Sequence, residues 1–238
     1  MNNVVNFEEK KLYTETIELP SGAIVELRGM KTQEMDILAN RKAMKDGDGI
    51  NEIAKNCIIN SDFDYDNALQ GDRYAIIVNI RKITYPGNYM FDIQCPACEQ
   101  NGHFKVDLNT LTVKKLDGRN TRDLKFTFPR SKYEITYHLP TGKEEREILR
   151  LRKNHQNDLL SISLMTNIDK VEGMPIKTLE WFKNLDAFDV LAFKDELDEV
   201  NCGIETGLEL TCDHCGYEFE TELPITANFF LPKKAKKT

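Results

Sequence analysis

Two Cys-x-x-Cys pairs, Cys95-Pro-Ala-Cys98 and Cys212-Asp-His-Cys215, constrain this chain more than any other feature of its sequence. Each pair stands between two short segments in which apolar and polar residues alternate, which is the period of a β-strand with one buried face. The four segments are Tyr89–Gln94, Phe104–Leu108, Leu208–Leu210 and Phe219–Leu223. The pattern therefore predicts two β-hairpins, each with a pair of cysteines at its tip.

Paired thiolates at this spacing are typical ligands of zinc. A Cys-x-x-Cys turn directs two sulfurs to one side, and two such turns that face each other complete a tetrahedral site. The N-terminal segment MNNVVNFEEKK has no secretory signal pattern. We therefore expect a reducing cytosol, in which thiols bind metals rather than form disulfides. The prediction is one structural Zn²⁺ shared by Cys95, Cys98, Cys212 and Cys215.

The separation of the pairs leaves two alternatives to this shared site. A compact zinc ribbon separates its pairs by about 15–20 residues, whereas residues 99–211 intervene here, so two hairpins far apart in the sequence would have to meet. The pairs could instead be reduced and metal-free, or could carry out thioredoxin-like redox chemistry. The redox role is disfavoured because it needs a thiol at a helix N-terminus, and strand patterns follow both pairs here.

The remaining cysteines and the histidines beside the pairs have simpler interpretations. His103 and His214 are interpreted as solvent-facing turn residues, because four thiolates already satisfy zinc. Cys57 lies in an apolar helical stretch, and we interpret it, like Cys202, as a small buried hydrophobic residue.

The order of predicted elements is similar in the two halves of the chain. In each half an alternating, hairpin-like segment precedes helical segments and then a Cys-tipped hairpin. We predict an α+β fold with an internal duplication of about 110 residues, in which the two zinc-ribbon-like hairpins meet about a pseudo-twofold axis. Coincidence among common α+β elements is the alternative, because only the Cys hairpins are closely similar in sequence.

Pairs of landmarks set the boundaries of the predicted repeats. Thr32 and Thr141 open the first helices, and Asp72 and Asp186 are predicted to cap the long apolar helices. The resulting division is an N-terminal repeat over 1–111, a linker over 112–123, a C-terminal repeat over 124–232 and a basic tail over 233–238.

Composition excludes several classes of function. The net charge is −7, which disfavours a surface built to neutralise nucleic acid or anionic lipid. No apolar run approaches the ~20 residues that span a bilayer. The sequence has no Gly-rich phosphate loop, nucleophile elbow or His-Glu-x-x-His motif. We therefore predict that the protein is not an enzyme and has no small-molecule substrate, membrane partner or nucleic-acid partner.

A family resemblance rests on three stretches of the chain. The run Asn67-Ala-Leu-Gln-Gly-Asp-Arg73 precedes an apolar helix, Tyr85-Pro-Gly-Asn-Tyr89 and the first Cys hairpin. A later stretch reads Leu139-Pro-Thr-Gly-Lys-Glu-Glu-Arg146, and the second Cys pair follows near the C-terminus. From about Thr32 to Pro232, this arrangement resembles the baseplate protein family of T-even-like contractile-tailed bacteriophages.

The resemblance implies a structural or assembly protein of a phage baseplate, at the hub or the neighbouring inner wedge. Such a protein is assembled in the cytoplasm of the infected bacterium, becomes part of the virion tail and binds other hub, wedge or tail-tube proteins. One alternative is a non-virion assembly factor that escorts hub proteins and then leaves. Another is a cytosolic zinc-ribbon protein that binds nucleic acid, which the acidic charge disfavours.

Three large apolar residues, Phe229, Phe230 and Leu231, directly precede Pro232 and the basic tail. Two interpretations are open from the sequence. They could form a contact with a neighbouring baseplate protein, or they could pack a terminal segment onto the core of the chain itself.

Overall fold

The computed structural model describes residues 13–45, 48–152, 155 and 157–231, so the predicted basic tail lies outside the described residues. The N-terminal half begins with an antiparallel hairpin, continues with four helices and ends with a second hairpin. These elements are β1 (Thr14–Glu18), β2 (Ile24–Arg28), α1 (Thr32–Ala39), α2 (Arg41–Lys45), α3 (Asp48–Cys57), α4 (Gln70–Thr84), β3 (Asn88–Gln94) and β4 (Asn101–Asp107).

The C-terminal half contains a three-stranded antiparallel sheet of order β6-β7-β8, four helices and the second Cys hairpin. Its elements are β5 (Val113–Lys114), β6 (Leu124–Thr127), β7 (Glu134–Tyr137), α5 (Gly142–Arg152), α6 (Leu159–Thr166), β8 (Ile168–Val171), α7 (Leu179–Lys183), α8 (Ala187–Val200), β9 (Gly203–Ile204), β10 (Gly207–Thr211), β11 (Glu218–Glu222) and a short 3₁₀ helix (Ala227–Phe230). The predicted α+β class and both Cys hairpins are confirmed.

Both halves run from a hairpin through helices to a Cys hairpin, although the second half carries β8 as an additional strand. The segment predicted as a linker over 112–123 contains β5, which pairs with β9. The repeat boundaries and the pseudo-twofold relation stay predictions. Superposing residues 14–107 on residues 124–222 tests them directly, because a duplication requires equivalent Cα positions in the matching hairpins and helices.

The two long helices begin in different ways. Asp186 caps α8 as predicted, since its carboxylate accepts a hydrogen bond from the Phe188 N–H (2.8 Å). The predicted cap at Asp72 is wrong, because α4 begins earlier and Leu69 precedes its first turn. Asp72 lies inside that turn, where its carboxylate accepts the backbone N–H of Ser21 at 2.9 Å and holds the β1–β2 turn.

Apolar side chains form two large clusters, and the chain crosses between them. The first cluster joins the N-terminal half to both Cys hairpins and to the C-terminal 3₁₀ helix. The second lies between the β6-β7-β8 sheet and helices α6, α7 and α8. Phe229 and Phe230 are fully buried in the first cluster, so the core interpretation is correct for these two side chains and the interface interpretation is wrong.

The Gly71-Asp72-Arg73 run in the first turn of α4 contacts four separate segments. Besides the contact of Asp72 with the β1–β2 turn, the backbone of Gly71 packs against the carbonyl group of Cys202, just before β9. The buried Arg73 guanidinium lies over the Tyr65 ring and pairs with Glu145 of α5 at 3.0 Å. One helical turn therefore holds the junction between the two clusters.

A buried ion pair joins β2 to α1. Arg28 donates two hydrogen bonds to the carboxylate of Glu34, at 2.9 and 3.0 Å, and the Lys31 N–H donates a third at 2.7 Å. Burial acts to raise the pKa of Glu34, but the hydrogen bonds from Arg28, Gln33 and Lys31 outweigh it and lower the pKa to about 2. The ionised form of Glu34 is therefore the one that stabilises this junction.

Acid should weaken this junction in a defined pH window. Because the folded-state pKa of Glu34 is depressed, its contribution is complete above about pH 4.5 and is lost as the pH falls towards 2. The expected loss is about 3 kcal/mol of unfolding free energy, from ~1.36 kcal/mol per pKa unit. Urea titrations of wild type and Glu34→Gln at pH 5.5 and pH 2.5 measure it. An equal pH dependence in the two proteins would contradict this assignment.

Candidate metal centre

The two hairpin tips have the same backbone geometry. In the first tip the Cys95 N–H donates to the Gln100 carbonyl (2.9 Å), and in the second the Cys212 N–H donates to the Tyr217 carbonyl (2.9 Å). The residue after each pair closes the turn in a left-handed conformation, with φ of 58° at Glu99 and 73° at Gly216. Glu99 thus adopts the conformation that glycine supplies in the second tip. Both turns direct their two sulfurs to one side.

Aromatic packing brings the two hairpins together. The Phe104 ring of β4 meets the Phe219 ring of β11 edge to face, with 6.1 Å between the centroids. At the tips, His214 Nε2 lies 3.3 Å from the Asn101 carbonyl oxygen of the other hairpin. These contacts place cysteines from distant parts of the chain side by side.

The four sulfurs form one cluster. All four Sγ atoms lie within 4.8 Å of one another. Cys95 Sγ is 3.8 Å from Cys215 Sγ, and Cys98 Sγ is 3.7 Å from Cys212 Sγ. Four sulfurs at ~2.3 Å from a central ion are separated by about 3.8 Å in a regular tetrahedron. The cluster could therefore hold one metal ion without a large movement of either hairpin.

The surroundings of the thiols make Cys95 easier to ionise than an ordinary cysteine. Burial acts to raise the pKa of that thiol, but the backbone N–H groups of Cys98 and Ala97 donate to the sulfur and lower the pKa to about 7. At Cys215 the Tyr217 N–H acts to lower the pKa, while partial desolvation of the sulfur and the three neighbouring thiols raise it to about 12. One negative charge thus opposes the ionisation of its neighbours, and a bound cation would remove that opposition.

Burial differs among the four ligand candidates, and the two nearby histidines are both exposed. Cys95 and Cys212 are buried, Cys98 is half-buried and Cys215 is exposed. His103 is exposed, as predicted, although it lies on β4 rather than in the turn, with its Nδ1 2.7 Å from Asp92 Oδ1. His214 is also exposed. Neither histidine belongs to the sulfur cluster.

The other two cysteines are buried and lie outside the sulfur cluster, as the sequence predicted. Cys57 packs in the first apolar cluster, where its sulfur is 3.7 Å from Arg28 Nη1. Cys202 lies with Leu116 and Leu139 at the junction between the two large clusters.

Comparison with known proteins identifies the family. The model of the T4 bacteriophage base plate protein family matches residues 11–231, which include both Cys hairpins and the junction turn of α4. The chain belongs to the T4 bacteriophage base plate protein family. The resemblance stated from the sequence is confirmed. Neither the curated proteins nor the solved structures contain a significant match.

Membership of the base plate protein family has direct consequences. It supports the assignment of this chain as a phage baseplate component. Such a component is a protein of the virion tail that associates with other baseplate proteins. Within the part of the chain that the structure describes, no helix combines the length and the apolar composition needed to cross a membrane.

Proposed function

We propose that the protein is a structural, non-enzymatic component of a contractile-tail baseplate, at the hub or inner wedge, and that it is assembled in the cytoplasm of the infected bacterium. The family match over residues 11–231 supports this proposal. Its partners are neighbouring hub, wedge or tail-tube proteins. It acts through surfaces that bind these neighbours, and the sulfur cluster holds together two hairpins that are far apart in its own sequence.

The ion we assign to this cluster is Zn²⁺, held by Cys95, Cys98, Cys212 and Cys215. Tetrahedral sulfur sites suit zinc and iron, and zinc is the usual ion where a site is structural. Four thiolates fill all four positions, which leaves none for a catalytic water. The site therefore supplies folding free energy rather than chemistry, in keeping with a non-enzymatic role.

Elemental analysis distinguishes the metals. Protein purified from a cytosolic expression host is expected to contain one zinc per chain and no visible absorption band. Iron at the same stoichiometry, with sulfur-to-iron charge-transfer absorption, would overturn the assignment of zinc. A metal-free protein whose melting temperature does not change when zinc is added would overturn the site itself.

Quantitative mass spectrometry of purified virions tests the role in the baseplate. A structural component is expected at a fixed ratio to other baseplate proteins in every preparation. A chain that is abundant in assembling cells but missing from finished particles would instead be an assembly factor that leaves the baseplate. If the chain were instead a zinc-ribbon protein that binds nucleic acid, it would bind DNA or RNA with a strong salt dependence. The net charge of −7 opposes such binding.

A further inference from the structure

The residue that follows each cysteine pair has the same unusual backbone conformation. Glu99 has φ of 58° and Gly216 has φ of 73°, and both values lie in the left-handed region. Glycine enters this region freely because it has no Cβ, whereas a residue with a side chain does so at a cost in free energy. The two hairpin tips therefore share one backbone conformation, but the second tip has the residue that favours it and the first does not.

The left-handed conformation directs a backbone N–H towards the second sulfur of each pair. In the first tip the Gln100 N–H donates to Cys98 Sγ, and in the second tip the Tyr217 N–H donates to Cys215 Sγ. In each tip the donor directly follows the left-handed residue. Hydrogen bonds to a metal ligand orient that ligand and tune its affinity for the ion. The left-handed residue is therefore a positioning residue of the metal site, although its own side chain is not a ligand.

The hydrogen bonds that close the two turns are otherwise matched. The Glu99 N–H donates to the Cys95 carbonyl at 3.0 Å, and the Gly216 N–H donates to the Cys212 carbonyl at 2.8 Å. The first tip has one addition, a hydrogen bond of 3.0 Å from Gln94 Nε2 to the Glu99 carbonyl. That bond is exposed to solvent, so it offsets only part of the cost of a left-handed glutamate.

Little packing holds either turn closed. Residues 96, 97, 99 and 100 are exposed in the first tip, and residues 213–217 are exposed in the second. No described atom lies within 4 Å of a Cβ added at Gly216. Segments with few buried contacts open at a low cost in free energy. An ion bound by four thiolates would hold both turns closed, because its binding free energy is also folding free energy.

We propose that the left-handed residue after each cysteine pair sets the affinity of the sulfur cluster for its metal ion, and that the first tip is the weaker half of the site because Glu99 stands there. This inference rests on the zinc site proposed above. Binding of the ion holds Glu99 in a conformation that its side chain disfavours, whereas Gly216 adopts the same conformation at no such cost. Part of the binding free energy is therefore used to close the first turn.

Zinc affinities of full-length variants, measured by competition with a chromophoric chelator, test the proposal. Glu99→Gly should bind zinc about fivefold more tightly than wild type, because glycine removes the cost of the left-handed conformation. Glu99→Asn should have an affinity between those two, since asparagine enters this region more readily than most residues. Glu99→Ala should match wild type within about twofold, because alanine has a Cβ but no carboxylate.

The second tip supplies the reverse change, and a distant glycine supplies a matched control. Gly216→Ala should weaken zinc binding about fivefold, and its combination with Glu99→Gly should restore an affinity close to that of wild type. Gly118 also has φ of 73° and lies outside the sulfur cluster, and no described atom lies within 4 Å of a Cβ added there. Gly118→Ala should therefore destabilise the fold to a similar extent but leave the zinc affinity unchanged.

Three results would overturn this proposal and leave the zinc site standing. Equal zinc affinities for wild type, Glu99→Gly and Gly216→Ala would show that the fold holds both turns closed without the ion. An equal loss of affinity in Gly118→Ala and Gly216→Ala would trace the change to general stability. Weaker binding in both Glu99→Ala and Glu99→Gly would assign the effect to the carboxylate. A wild-type protein that binds no zinc would overturn both the proposal and the zinc site on which it rests.

Discussion

Replacing Cys212 with alanine is expected to abolish metal binding and to destabilise the whole protein. Residues 99–211 separate the two cysteine pairs, so the ion closes a very long loop that is costly to close in the unfolded state. Structural zinc sites contribute ~10–16 kcal/mol of apparent binding free energy. Loss of one ligand should therefore cost on the order of 5 kcal/mol or more. The melting temperature should fall by about 10–20 °C, at ~2–4 °C per kcal/mol for a chain of this size.

Cys202→Ala is the matched control for this variant. Cys202 is buried to nearly the same extent as Cys212, 3% against 2% exposed, but lies outside the sulfur cluster. We expect one metal per chain and a loss of about 1 kcal/mol in Cys202→Ala, the cost of a small cavity. Elemental analysis and calorimetry of both variants measure the difference. Similar melting temperatures and unchanged metal content in the two would show that the cysteine pairs do not share an ion.

Replacing Gly71 with alanine should disrupt the junction between the two apolar clusters. A Cβ at this position would overlap the carbonyl oxygen of Cys202 and lie 2.6 Å from its carbonyl carbon. Both groups belong to backbone that is held in place, one in α4 and the other just before β9, so neither can move away alone. Overpacking of this kind costs ~1–3 kcal/mol and sometimes more. We expect about 3 kcal/mol, measured by urea denaturation.

Helix propensity makes this result diagnostic. Alanine favours a helix over glycine by ~1 kcal/mol, so Gly71→Ala would stabilise α4 if the carbonyl of Cys202 were not there. Gly207→Ala on β10 is the control, since nothing lies within 4 Å of its added Cβ. We expect it to change the unfolding free energy by less than about 0.5 kcal/mol. Stabilisation by Gly71→Ala would mean that β9 does not cross α4 at this glycine.

Local periodicity was sufficient to predict most of the elements. Alternation on either side of a turn predicted the β1–β2 hairpin and both Cys hairpins, and Asp186 marked the start of α8. Local sequence patterns gave a wrong prediction where a side chain bonds to a residue far away in the sequence. Asp72 has the chemistry of a helix cap, but its carboxylate bonds to Ser21, 51 residues away in the sequence. Strand β8 was missed because it is only four residues long and its pairing partner, β7, lies beyond α5 and α6.

The sequence by itself determined the chemistry of this protein: two pairs of thiols on strand-flanked turns, an acidic net charge and the signature of a baseplate family. Tertiary structure alone decided that the four sulfurs meet, because that depends on the packing of Phe104 against Phe219 and on the shared apolar cluster. It also decided that Phe229 and Phe230 belong to the core and that Gly71 allows β9 to cross α4. Periodicity records which face of an element is apolar, whereas contacts between distant elements depend on how those faces pack together.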